Sequence, residues 1–135
     1  MWHQRAARGP KAALFWDYHV VVLAEAPWEI WDLDSTLGCP VAAAEYLRRS
    51  FRRGLPPELA PIFRLVRGAE LVKTFASDRS HMRHQNGSYE RPPPQWPPVS
   101  AAERGSNLSR FTDMTAPFLG EILSLEELGE RVGAW

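Results

Sequence analysis

Apolar and β-branched residues crowd two early stretches of the chain, which then gives way to short amphipathic segments and a polar, proline-rich middle. Residues 13–23 and 28–33 are rich in the aromatic and β-branched types that favour strands, and Glu25-Ala26-Pro27 interrupts them. That order predicts an antiparallel hairpin. If Ala24 opposes Pro27 across a tight two-residue turn, counting back along both strands sets Leu23 opposite Trp28, His19 opposite Asp32 and Asp17 opposite Asp34. A four-residue loop gives the same register. Pro40 to Arg53 then reads as an amphipathic helix with Ala44, Leu47 and Phe51 inward and Arg48, Arg49, Arg52 and Arg53 outward, stopped by Gly54.

Helical spacing continues through Leu59, Ile62, Phe63 and Val66, with a helix start near Pro61, and Gly68 divides it from a short helix carrying Leu71, Val72 and Phe75. The segment from Ala76 to Tyr89 is polar and turns at Asn86-Gly87. Arg91 to Pro98 holds five prolines and is forced into extended polyproline conformation. A stiff loop that packs Trp96 onto the body is the reading adopted over an SH3 or WW ligand. Ser106 or Asn107 caps a short turn bearing Leu108 and Phe111. Ser124 and Glu127 form a capping box for a helix that presents Leu125, Leu128 and Val132. Together these elements predict an α/β domain of the α+β kind, an antiparallel sheet flanked by short helices, spanning residues 1–135 as one unit.

Composition narrows the partners. Sixteen Lys and Arg balance sixteen Asp and Glu, so no global field draws nucleic acid or an anionic membrane. No stretch approaches the ~20 apolar residues of a membrane span, and the first residues lack the apolar core of a signal peptide. The single cysteine, Cys39, has no internal disulfide partner, which fits a reducing cytoplasm.

Two constellations carry chemistry. Directly opposed strand residues have Cβ atoms about 4.5–5.5 Å apart, close enough for the Asp32 carboxylate to accept a hydrogen bond from the His19 imidazole. A facing Asp17 and Asp34 would disfavour each other's ionisation, so Asp32 is the better partner for the imidazole and Asp34 a supporting candidate. The competing reading is a polar pair on a solvent face. The second constellation is Ser77, Asp78, Arg79, Ser80, His81 and His84. Zinc needs three or four converging ligands, and nothing forces Cys39 or a third histidine into range, so no metal and no cofactor are expected. The Ser77–His81 corner either closes on itself by hydrogen bonds or lines a substrate pocket, where Arg79 or Asp78 would fix a charged or amide group.

Four blocks taken together, Trp-Asp-Tyr-His-Val-Val at 16–21, Asp-Leu-Asp at 32–34, Phe-Ala-Ser-Asp-Arg-Ser-His-Met at 75–82 and the proline-rich segment with Trp96, resemble the protein N-terminal glutamine amidohydrolase family. The resemblance runs in order from Trp2 to near the C-terminus. It implies a fold related to papain and transglutaminase, and hydrolysis of the side-chain amide of N-terminal glutamine in proteins or peptides, with release of ammonia. It implies a cysteine nucleophile, a histidine that takes the thiol proton and an aspartate that orients the histidine. Carried over, His19 matches the histidine and Asp32 the aspartate. Such an enzyme is expected to be a cytoplasmic monomer when complete.

The nucleophile of that family lies several tens of residues before the Trp-Asp-Tyr-His block, and Cys39 matches a non-catalytic position. The expectation is therefore an N-terminally truncated or mis-started enzyme that lacks its nucleophile-bearing segment. The alternatives are a non-catalytic relative that binds N-terminal peptides or a partner, and recruitment of Cys39.

Overall fold

The computed structural model describes residues 1–9, 11–99 and 105–135, apart from the side chain of His81, and it is of the α+β kind. In chain order the elements are β1 (Val22–Ala24), β2 (Glu29–Trp31), β3 (Val41–Ala42), α1 (Ala43–Ser50), β4 (Ile62–Leu65), α2 (Gly68–Thr74), α3 (Leu108–Thr112), β5 (Glu121–Ser124) and α4 (Leu125–Arg131). Single 3-10 turns lie at Pro57–Leu59 and Ser80–Met82. Two compact units divide the chain: residues 1–63 with 123–135, and residues 64–122.

The first unit holds a three-stranded antiparallel sheet in the order β1-β2-β3. The expected hairpin forms, but two residues out of the expected register. Ala24 pairs with Glu29 and Val22 with Trp31, because residues 25–28 form a four-residue turn closed by Ala24 and Glu29. The strands are also shorter than the apolar runs, and the ladder stops at Val22. A second correction concerns the helix expected from Pro40. Val41 and Ala42 pair with β2 as a short strand, and the N–H of Ala43, the first helical residue, donates to Trp28 O at 2.9 Å, so the helix starts directly after the paired residues.

α1 packs on β2 and α4. Ala43, Tyr46, Leu47 and Ser50 repeat at helical spacing and are buried, with Ile30, Leu123, Leu125, Leu128, Val132 and Ala134 completing the core of this unit. The inward set is shifted from the expected one: Tyr46 joins Leu47, while Ala44 and Phe51 are only half-buried. At the C-terminus the capping box forms as the sequence predicts, with Ser124 Oγ accepting from Glu127 N–H and the Glu127 carboxylate accepting from Ser124 N–H. Gly129 is required by close approach, since a Cβ there would lie 2.0 Å from the Trp135 indole.

Phe15, Val20, Val22, Trp31 and Leu33 remain exposed, and Val22 and Trp31 are direct ladder partners. One face of the early apolar run thus carries no cover among the described residues.

The helix expected near Pro61 is a strand. Ile62-Phe63-Arg64-Leu65 mixes β-branched and aromatic types and pairs with β5 in a two-stranded sheet, and that pairing overrides the helical spacing. In the second unit the Arg64 guanidinium donates to the carbonyls of Phe111 (3.1 Å), Leu119 (3.0 Å) and Asp113 (2.5 Å). Phe111 meets Phe75 and Phe118 edge to face, and the Arg64 guanidinium lies 5.9 Å from the Phe118 ring centroid. Asn107, at the start of α3, accepts from Ala76 N–H at 2.9 Å and donates to Thr74 O at 2.6 Å, tying α3 to the end of α2. Trp96 does not pack as expected: the residue is 67% exposed. What holds the proline-rich segment is Arg79, which donates to Pro94 O and Trp96 O.

Candidate active site

His19 and Asp32 meet. His19 Nε2 lies 3.0 Å from Asp32 Oδ1, with the His19 side chain 14% exposed and that of Asp32 1%. The expected pairing is therefore present, although its expected cause is not. Continued backward, the observed register would oppose His19 to Asp34 and Val21 to Asp32. Because the ladder ends at Val22, the backbone before it is free of strand geometry and His19 reaches Asp32 across that diagonal. By the same shift, Asp17 and Asp34 are not strand partners, and the expected carboxylate pair is not formed by the ladder.

Asp32 is the centre of the arrangement. Its Oδ1 accepts from His19 and from the backbone N–H of Asp34 at 2.9 Å, and its Oδ2 accepts from the Tyr46 hydroxyl at 2.8 Å and Gln4 Nε2 at 3.2 Å. Burial pushes the Asp32 carboxyl up, but the hydrogen bonds from Tyr46, Gln4 and Asp34 and the adjacent His19 outweigh it and hold the group below the usual carboxylate range. Tyr46 is pushed the other way, by burial first and then by Asp32, so its phenol keeps its proton and stays a donor.

Trp16 stacks on the His19 ring, with centroids 5.0 Å apart and planes 20° from parallel. Trp16, Asp17, Tyr18, His19, Val20 and Asp34 line an open cleft of about 380 Å³. Its lining includes the expected candidates Asp17 and Asp34, whereas Asp32 is buried and joined to the cleft through His19. His19, Asp32 and Asp34 also bring ligand-type atoms within 4.8 Å of one another. Both Asp32 oxygens are already taken by N–H and O–H donors, and His19 Nε2 is one of them, so the donor set fits a hydrogen-bonded relay and not a coordination shell.

Sequence reasoning missed Tyr46, Gln4 and the stacking of Trp16. Tyr46 had a signal: at helical spacing with Ala43, Leu47 and Ser50 it faces inward, and a buried tyrosine hydroxyl requires a partner. Gln4 had none, since its neighbours carry no periodic pattern.

The other expected constellation lies in the second unit. Asp78 Oδ1 accepts from Ser80 N–H at 2.9 Å, Ser77 Oγ from Arg79 N–H at 3.4 Å, and Ser77 N–H donates to Val99 O at 2.8 Å. Hydrogen bonds from the Ser80 side chain and backbone hold the Asp78 carboxyl below its ordinary range. Arg79 takes a left-handed backbone, φ +62°, which sends its guanidinium to the proline-rich segment. The side chain of His81 lies outside the described residues. Cys39 is exposed, in the turn between Gly38 and Pro40.

Fold and site together define an α+β protein with a carboxylate-anchored imidazole on an open cleft. A family model described as N-terminal glutamine amidase matches residues 1–132, and the chain belongs to that family. Proteins named protein N-terminal glutamine amidohydrolase are similar to it. That of Danio rerio is 34% identical over 139 residues, 98% of this chain and 68% of the relative. That of Homo sapiens is 33% identical, over 99% of this chain and 68% of the relative. That of Drosophila melanogaster is 35% identical, over 94% and 65%.

Proposed function

We propose that this chain supplies the imidazole and carboxylate of an enzyme that hydrolyses the side-chain amide of N-terminal glutamine to glutamate and ammonia, on protein or peptide substrates. The observation that carries the reading is the buried Asp32 bonded to His19 Nε2 at 3.0 Å on the edge of an open cleft. It commits one ring nitrogen to the carboxylate and leaves Nδ1 for proton transfer.

In this mechanism Nδ1 takes the proton of a cysteine thiol, and the thiolate attacks the carboxamide carbon. The tetrahedral oxyanion collapses, the imidazolium gives its proton to the departing nitrogen, and ammonia leaves behind a thioester. Water, deprotonated by His19, attacks the thioester and returns the thiol and a glutamate side chain. Asp32 holds the ring orientation and stabilises the imidazolium throughout. Asp34 and Asp17, on the cleft, are assigned supporting or substrate-binding roles, and of the two readings of the Ser77–His81 corner the one adopted is a turn closed by its own hydrogen bonds.

The thiol is proposed to come from outside these 135 residues, on a segment that would also cover the exposed face formed by Val20, Val22, Trp31 and Leu33. A papain-like or transglutaminase-like relation of the completed fold belongs to the same reading. A second reading is favoured by Cys39: the sole thiol of the sequence sits exposed in a turn, which fits a non-catalytic module that binds N-terminal peptides.

Ammonia release from a Gln-initiated peptide separates the readings, using the 135-residue chain beside a form extended upstream to the nearest in-frame cysteine. Activity confined to the extended form and lost in His19→Ala supports the enzyme reading. Activity of the short form that disappears in Cys39→Ser moves the nucleophile to Cys39, and silence of both forms favours the binding module.

A further inference from the structure

The two donors on Asp32 Oδ2 belong to residues that no step of the proposed reaction uses. Tyr46 and Gln4 are 2% and 3% exposed, and they approach Oδ2 from separate parts of the chain, at 2.8 and 3.2 Å. Gln4 is delivered there by backbone pairing: it bridges Ser35 antiparallel, Arg5 N–H donates to Asp34 O at 2.7 Å, and Thr36 N–H donates to His3 O at 2.8 Å. The stretch just after Asp32 therefore fixes the residue that holds Asp32.

The amide of Gln4 is poorly explained by its own needs. Its Oε1 is buried without a hydrogen-bond partner among the described residues. Exchanging oxygen and nitrogen would point Oε1 at a carboxylate, so the NH2 group must face Asp32. An apolar side chain of the same length would fill this space without stranding an acceptor, and desolvating an unpaired acceptor is costly. What glutamine adds is the donor to Oδ2. Tyr46 adds the second, from a phenol that burial and Asp32 keep protonated.

We propose that Gln4 and Tyr46 are positioning residues: they clamp Oδ2 of Asp32 so that Oδ1 stays aimed at His19, which locks the imidazole as the Nε2–H tautomer with Nδ1 bare. An ionised carboxylate only accepts, so the ring nitrogen facing it must carry the proton, and the other ring nitrogen of a neutral imidazole is then the base. One donor on Oδ2 still lets the carboxylate group turn about the Cβ–Cγ bond. Two donors from different directions, with the Asp34 N–H on Oδ1, remove that freedom. The consequence for amide hydrolysis rests on the amidohydrolase reading, whereas the tautomer does not.

Nitrogen-15 NMR of the His19 ring in the 135-residue chain, at a pH where the imidazole is neutral, reads the tautomer directly. The unaltered chain is expected to show Nε2–H, and the near-isosteric double variant Gln4→Met/Tyr46→Phe a rise of at least tenfold in the Nδ1–H fraction. Each single variant should give a smaller rise. Near-UV circular dichroism reports whether each variant keeps its packing, so a general loss of structure is told apart from a freed carboxylate. An Nδ1–H ring in the unaltered chain overturns the proposal, as does a folded double variant with an unchanged tautomer. Should the double variant not fold, two folded single variants with unchanged tautomers overturn it equally. Deamidation of a Gln-initiated peptide is followed in parallel, in the upstream-extended form. A tautomer shift without any turnover in the unaltered protein sinks the amidohydrolase reading and leaves the clamp standing, and turnover with an immovable tautomer does the reverse.

Discussion

Asp32 and Asp78 are both aspartates that accept hydrogen bonds next to a histidine-bearing segment, yet they are held by opposite means. The side-chain donors on Asp32 come from 13, 14 and 28 positions away, and the carboxylate is buried. The backbone donor on Asp78 lies two positions on, and its bond is exposed. A local turn of the second kind forms from neighbouring residues alone and holds its aspartate in water. A buried carboxylate is tolerated only when several donors converge on it, and those donors have to be brought together by the fold. Long-range, buried satisfaction is thus the mark that separates a constructed site from a turn that closes on itself.

The strongest way to break that comparison is to remove the imidazole. In a form of the protein that releases ammonia, His19→Ala is expected to lower the rate by about 10³-fold or more while the thermal midpoint moves little. Asp78→Asn, the matched change in the corner, is expected to stay within about threefold of the unaltered rate. A large loss at Asp78 would assign the corner to substrate binding and end the contrast. Next in size is the order of the two acids on the cleft side. Asp32→Asn should cost about 10²-fold or more, since the amide offers His19 Nε2 the wrong partner, and Asp34→Asn clearly less. The reverse order would mean that the ladder register, and not the diagonal seen here, governs which acid serves the ring.

Stability sharpens the same comparison. Asp32→Ala leaves the Tyr46 hydroxyl and the Gln4 amide buried without their acceptor, and stranded donors of this kind cost about 1–3 kcal/mol each. A urea midpoint lowered by a few kcal/mol equivalents is expected for Asp32→Ala. Tyr46→Phe should recover part of that loss when added to it, because it removes one of the stranded donors. Full additivity of the two changes would show that the hydroxyl does not depend on Asp32.

Much of this was legible in the sequence, unevenly. The hairpin and the capping box at Ser124 and Glu127 follow from residue types and spacing, whereas the meeting of His19 with Asp32 was expected from a register that the structure does not keep. The register did not follow, because the position of the turn sets it, and Glu25-Ala26-Pro27-Trp28 turns between Ala24 and Glu29, centred one residue later than either expected loop. Ile62 to Leu65 has helical spacing and strand composition at once, and only the arrival of β5 from sixty residues away decides between them. Gln4 was invisible for the same reason in sharper form: its role is created by a backbone bridge to Ser35, and no local pattern announces a bridge.

Acid provides the finest distinction. Asp32 is held below its ordinary range in the folded chain, so the unfolded chain takes up a proton first as the pH falls. The stability it contributes is complete above the ordinary carboxylate range, about pH 4, and drains away as the pH drops through the lower folded value. Asp78 and Asp113 are depressed in the same direction, by hydrogen bonds from Ser80 and from Thr115 and Ala116 respectively, but both are exposed and water competes for them. Thermal midpoints measured from pH 6 down to about pH 2.5 should therefore fall less steeply in Asp32→Asn than in the unaltered chain. Asp78→Asn and Asp113→Asn should leave the slope nearly unchanged. If either exposed aspartate flattened the acid limb as much as Asp32, locality and exposure would not be what distinguishes the corner from the cleft, and the buried relay would lose its claim to be the one constructed site of the two.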